Sequence, residues 1–141
     1  MKRYLESVPP EHRKTVASII DANHNMAILL SIKKTWLDKI ESDEKTVELR
    51  KSFPNVMQTP FVAFCYETKN GKRSGRVKEI LVINRVRKMP RAVFEQEPAG
   101  EEVIRISQES QVPVEDIREY LGTGMNVYGW EISAHFPIEE M

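Results

Sequence analysis

The 141-residue chain carries 40% hydrophobic and 30% charged residues, an ordinary globular mix with material for about one core. Twenty-one basic residues balance twenty-one acidic ones, which excludes a protein that holds nucleic acid by bulk charge alone. No run approaches the roughly 18–20 apolar residues of a membrane span, and Met1–Glu6 lacks the apolar stretch of a secretory signal.

A single cysteine, Cys65, excludes an internal disulfide and a multi-cysteine zinc site, so a reducing, cytoplasmic setting is expected. Along the chain, Pro9-Pro10 opens a segment in which Val16, Ile19 and Ile20 recur at helical spacing, and Asn23-His24-Asn25 breaks it. This predicts a helix over 9–22. From Ala27 to Lys33 the period falls to two, with Ile28, Leu30 and Ile32 on one face and Leu29, Ser31 and Lys33 on the other. A short helix follows, with Trp36, Leu37 and Ile40 on its apolar side, ending at Ser42-Asp43-Glu44. A second strand, 45–51, turns Val47 and Leu49 inward and groups Thr46, Glu48 and Arg50 opposite. Phe61–Tyr66 reads as an apolar strand, Asn70-Gly71 as a turn, and 75–87 as a strand covered on both faces. Beyond Pro90 the pattern is helical and irregular, with a short helix from Pro113 to Leu121 stopped by Gly122. The last strand, 126–136, places Tyr128, Trp130 and Ile132 on one face. Several strands among a few short helices predict an α+β fold built on a small, mixed, partly open β-barrel.

Four segments carry a resemblance. Ile28-Leu29-Leu30-Ser31-Ile32-Lys33 precedes the short helix, and Asp43-Glu44-Lys45-Thr46-Val47-Glu48-Leu49-Arg50 follows it. Cys65–Gly71 leads into a basic strand, and Tyr128–Ser133 lies near the end. In this order they resemble the ASCH family (activating signal cointegrator homology) of the PUA-like superfamily, in its bacterial and phage-type branch. Lys45, Glu48 and Arg50 match the family's GxKxxExR motif, with Asp43 where the family has Gly. Asp tolerates a left-handed backbone better than most side chains, so that turn is expected to survive. The resemblance covers about 26–136. It implies a domain over 26–141 with residues 1–25 as an added helical extension, and an RNA- or nucleotide-binding role in regulation or RNA metabolism. It implies no cofactor.

If the first two strands pair side by side with their polar faces aligned, Ser31, Lys33, Lys45, Glu48 and Arg50 form a patch with cations for a phosphate and a carboxylate for a base amino group. The same residues also make sense as a self-satisfied ion-pair network. Tyr128 and Trp130 could stack on a base, although sharing a face with Ile132 favours the core for Trp130. Lys72, Arg73, Arg76, Lys78, Arg85, Arg87 and Lys88 form a basic patch that would track a phosphate backbone or protect a strand edge by charge. His12, His24 and His135 lack ligand spacing, so no metal is expected, and Cys65 should be buried and inert. The alternative is a small nucleotide- or RNA-directed hydrolase with Lys45 and Glu48 as base and acid. One ASCH branch resembles an acetylcytidine amidohydrolase, but Glu48 stands where that branch has its threonine. A protein partner on the N-terminal helix is a third reading.

Overall fold

A computed structural model describes residues 2–69 and 72–138, leaving aside the side chains at 2–3, 69 and 72–75. Its sheet holds β1 (Ile28–Lys33), β2 (Val47–Arg50), β3 (Phe61–Lys69), β4 (Lys72–Pro90) and β5 (Asn126–Pro137). The spatial order is β1-β3-β4-β5-β2, with β1 parallel to β3 and the other pairings antiparallel. The helices are α1 (Pro10–Ala22), α2 (Lys34–Glu41), α3 (Arg91–Phe94), α4 (Glu101–Ser110) and α5 (Val114–Leu121). The predicted α+β half-barrel is what forms. Two differences are local: residues 2–7 make a 3-10 turn ahead of α1, and β3 and β4 run longer than their apolar stretches. The Asn70-Gly71 turn lies outside the described residues.

Side-chain parity explains the layers. Leu30 and Ile32 of β1, Phe61, Ala63 and Cys65 of β3, and Leu81 and Ile83 of β4 face the inside of the curled sheet. There they meet Leu37 and Ile40 of α2 and Trp130 of β5. The alternate residues Val62, Ile80 and Val82 face outward under Val16 and Ile20 of α1. Both faces of β3 and β4 are thus covered, which is why these strands read as nearly continuous apolar runs. A third cluster joins Val47 and Leu49 of β2 and Val127 of β5 to Phe94 of α3, Val103 and Ile106 of α4, and Ile117 and Leu121 of α5. Gly129 permits that contact: a Cβ there would stand 3.0 Å from Ile106 Cδ1 and 3.2 Å from Val47 Cγ1.

Asn23 fixes the end of α1. Its buried amide donates to the carbonyls of Ile19, Gln58 and Pro60, and its Oδ1 accepts the Gln58 N–H. The loop before β3 is held against the helix in this way. No described helix is long and apolar enough to cross a membrane.

Five strands do not close the sheet by backbone pairing. The two edges, β1 and β2, instead meet through a side chain, where Arg50 Nη2 donates to the Ser31 carbonyl at 2.6 Å. That seam positions the candidate site.

Candidate nucleotide-binding site

Position 43 sets up the approach to β2. Asp43 adopts φ +65°, the left-handed conformation expected where the motif has glycine, and its carboxylate reaches His135 Nε2 at 2.7 Å. After this turn Lys45 enters the interior. Its ammonium donates to the Ser110 carbonyl at 2.6 Å, lies 3.4 Å from Glu48 Oε1, and sits 4.8 Å from the centre of the Trp36 ring. Ser110 ends α4, and the Thr46 N–H donates to the neighbouring Glu109 carbonyl at 2.8 Å. A helix C-terminus presents unpaired carbonyls and partial negative charge, so a cation is well placed there. Lys45 is 2% exposed, and burial pushes its ammonium below the ordinary lysine range, against the opposing pull of Glu48.

Glu48 is also buried and joins the two cations, with Oε2 3.1 Å from Arg50 Nη2. Arg50 keeps about a quarter of its side chain exposed. Above these groups opens a hollow of about 360 Å³. Ser31, Lys33, Lys45, Glu48 and Arg50 line it together with Trp36 and Tyr120. Tyr120 comes from α5; burial raises its phenol above the usual range, and Lys51 Nζ lies 4.8 Å from its ring centre.

No family model matches the sequence, and no curated protein does. Solved structures do match in shape. ASCH from Zymomonas mobilis has a TM-score of 0.60 at 16% identity over 77% of this chain and 68% of that one. Serine-to-alanine and tyrosine-to-phenylalanine variants of that protein both give 0.62, at 17% and 16% identity. Each covers 80% of this chain and about seven-tenths of the variant's own. The chain has the ASCH fold.

On this ASCH frame the five residues expected from β1 and the Lys-x-x-Glu-x-Arg segment share one hollow. Tyr128 and Trp130 do not line it. Trp130 is 4% exposed, packs edge-on against Phe61 at 5.3 Å and donates its indole N–H to the Ser52 carbonyl. Tyr128 lies beside Phe53, ring centres 5.1 Å apart. Within the basic patch, Arg87 pairs with Glu109 at 2.8 Å and Glu131 at 3.1 Å, and Arg85 with Glu131 at 3.5 Å. Lys88 is exposed. Arg76 and Lys78 also lie on β4, and the side chains of Lys72 and Arg73 are outside the described residues. Cys65 is buried, and burial pushes its thiol well above the usual range, as befits an inert core residue.

Trp36 and Tyr120 were missed by pattern reading as lining residues. Trp36 shares its side of α2 with Leu37 and Ile40, so helical spacing assigned it to the core. Tyr120 arrives on a distant helix, and its neighbours carry no signal that would bring it to β2.

Proposed function

We propose that this chain is an RNA- or nucleotide-binding protein of the ASCH family, acting in regulation or RNA metabolism through the hollow between β1, β2, α2 and α5. The observation that carries the reading is the joint lining of a nucleotide-sized space by two aromatic rings, Trp36 and Tyr120, and the Lys45–Glu48–Arg50 chain. Aromatic faces stack on any base. Glu48 offers a carboxylate to an exocyclic amino group, and Arg50 offers fixed donors to a phosphate. Lys45 forms the floor, holding Glu48 in place while capping α4.

Titration calorimetry with the four ribonucleoside monophosphates at low salt tests this. Saturable binding is expected, weakened at least about tenfold by Arg50→Ala and by Tyr120→Ala, since charge-assisted contacts and stacking each contribute on the order of 1–3 kcal/mol. Absence of binding by all four, or variants that bind like the wild type, would refute the reading.

A second reading has one observation in its favour, the lowered proton affinity of Lys45. A lysine of this kind beside a carboxylate could move protons in nucleotide- or RNA-directed hydrolysis. Product from single-stranded RNA, made by the wild type and not by Lys45→Met, would select it.

A further inference from the structure

Arg50 borders two hollows. The second, about 310 Å³, is lined by Ile28, Leu29, Leu30, Ser52, Phe53, Pro54 and Trp130 as well as Arg50. The first takes its β1 wall from Ser31, Ile32 and Lys33 and the second from Ile28, Leu29 and Leu30, so the two follow one another along a single strand. Their β1 centres are three residues, or roughly 10 Å, apart at about 3.3 Å per residue. The guanidinium on the Ser31 carbonyl is the partition between them.

We infer that the ligand spans both hollows and is a single-stranded nucleic acid of at least two nucleotides, one base in each and the linking phosphate on Arg50. This rests on the reading of the first hollow as a nucleotide site.

Three features favour such an occupant. Among the described residues Arg50 contacts the Ser31 carbonyl and Glu48 Oε2, both through Nη2, and about a quarter of its side chain stays exposed. A guanidinium has five N–H donors in a planar fork that matches phosphate oxygens, so much of its capacity is unspent. Phe53 is 41% exposed, and Tyr128 behind it leaves ring surface for a base. Leu29 is 62% exposed at the same hollow, an apolar wall that water serves poorly. A separation of roughly 10 Å exceeds the rise between stacked neighbours, about 3.4 Å per nucleotide in a duplex strand, so the two bases must be splayed apart. Duplexes are therefore excluded and single strands accepted.

Competition of unlabelled adenosine monophosphate, the ApA dinucleotide, its deoxy counterpart and a 10-base-pair duplex against a fluorescent hexanucleotide, read by anisotropy, tests this. The dinucleotide is expected to compete at least tenfold better than the mononucleotide, and the duplex no better than the mononucleotide. Phe53→Ala and Leu29→Ser, both at exposed positions, should each remove most of the dinucleotide's advantage while leaving the urea midpoint close to that of the wild type. The ribo and deoxy arms identify which strand chemistry is preferred. Equal competition by one and two nucleotides, or an advantage that survives both substitutions, overturns the two-hollow ligand while the first hollow's reading stands. If no nucleotide of either length competes, both readings fall. Concentration-dependent dimerisation abolished by Phe53→Ala would assign the second hollow to another copy of the chain and overturn the inference.

Discussion

Glu79 provides a quantitative test of the interior. It lies on β4 with the parity of Leu81 and Ile83, so its carboxyl enters the barrel, where it is fully buried. Oε1 is 3.2 Å from His135 Nδ1, and Oε2 is buried without a hydrogen-bond partner among the described residues. Burial, reinforced by the neighbouring Glu41 carboxyl, pushes Glu79 up to about 8 from an ordinary 4.5. In the protonated form Glu79 can donate to His135 Nδ1 while the Nε2–H of the same ring donates to Asp43. Below pH 4.5 both folded and unfolded chains hold this proton, and its contribution to stability is complete. Between 4.5 and about 8 the unfolded chain releases it and the folded chain does not, so the native state binds more protons and stability falls as pH rises. At 1.36 kcal/mol per pH unit the loss across that interval approaches roughly 5 kcal/mol, a ceiling that local relaxation lowers. Urea unfolding of wild type and Glu79→Gln, followed by tryptophan fluorescence at pH 5, 6, 7 and 8, compares a side chain that can release this proton with one that cannot, and titrations remote from Glu79 cancel in the difference. The wild type should lose roughly 1 kcal/mol per pH unit relative to Glu79→Gln near neutrality. Parallel pH dependences, or a wild type that gains on the variant as pH rises, would refute the assignment of a retained proton.

Two further substitutions probe the frame around the site. Gly129→Ala places a methyl 3.0 Å from Ile106 Cδ1 and should cost about 1–3 kcal/mol of unfolding free energy by overpacking, read as a lower urea midpoint. Asp43→Ala should destabilise by about 1–2 kcal/mol because alanine resists φ +65°, whereas Asp43→Gly should recover most of that loss, the Asp43 side chain being largely exposed. The order wild type, glycine, alanine in thermal midpoints checks it.

The succession of strands and helices along the chain and the polar face of β2 were readable because they depend on spacing and parity within a few residues. The expected pairing of the first two strands does not form, β1 and β2 being opposite edges of the sheet. Leu29 and Leu30 alternate outward and inward as period two requires. The left-handed turn at Asp43 was readable for a local reason too, since a short polar side chain tolerates it. What escaped depends on partners remote in sequence. Lys45 read as one cation of a polar patch open to a phosphate, yet the end of α4, 65 residues on, receives its ammonium and makes it a floor. The basic run before Pro90 read as one charged face, while Glu109 and Glu131 bind Arg87 from α4 and β5. Trp130 carried two meanings in the sequence, and the edge-on Phe61 contact settles its position as interior.

The placement of charge bears on whether the hollow exists for a ligand. Bringing three ionic groups into partial burial costs more desolvation than their mutual attraction reliably returns, and apolar residues of similar volume commonly serve stability as well or better. The inner face of this sheet is mainly apolar where α2 covers it, Glu79 near the end of that helix being the exception. The Lys45–Glu48–Arg50 chain occurs instead at the seam, where β1 and β2 do not pair and space remains. A sheet edge needs its backbone groups met or shielded. Arg50 meets the Ser31 carbonyl with one nitrogen, which accounts for an arginine at the edge but not for the donors it leaves over. Stability alone accounts for Lys45 through the end of α4, and for Glu48 through Lys45. Arg50, about a quarter exposed between two hollows, is the member of the chain whose chemistry the fold does not use up, and so the one on which a ligand's phosphate would act.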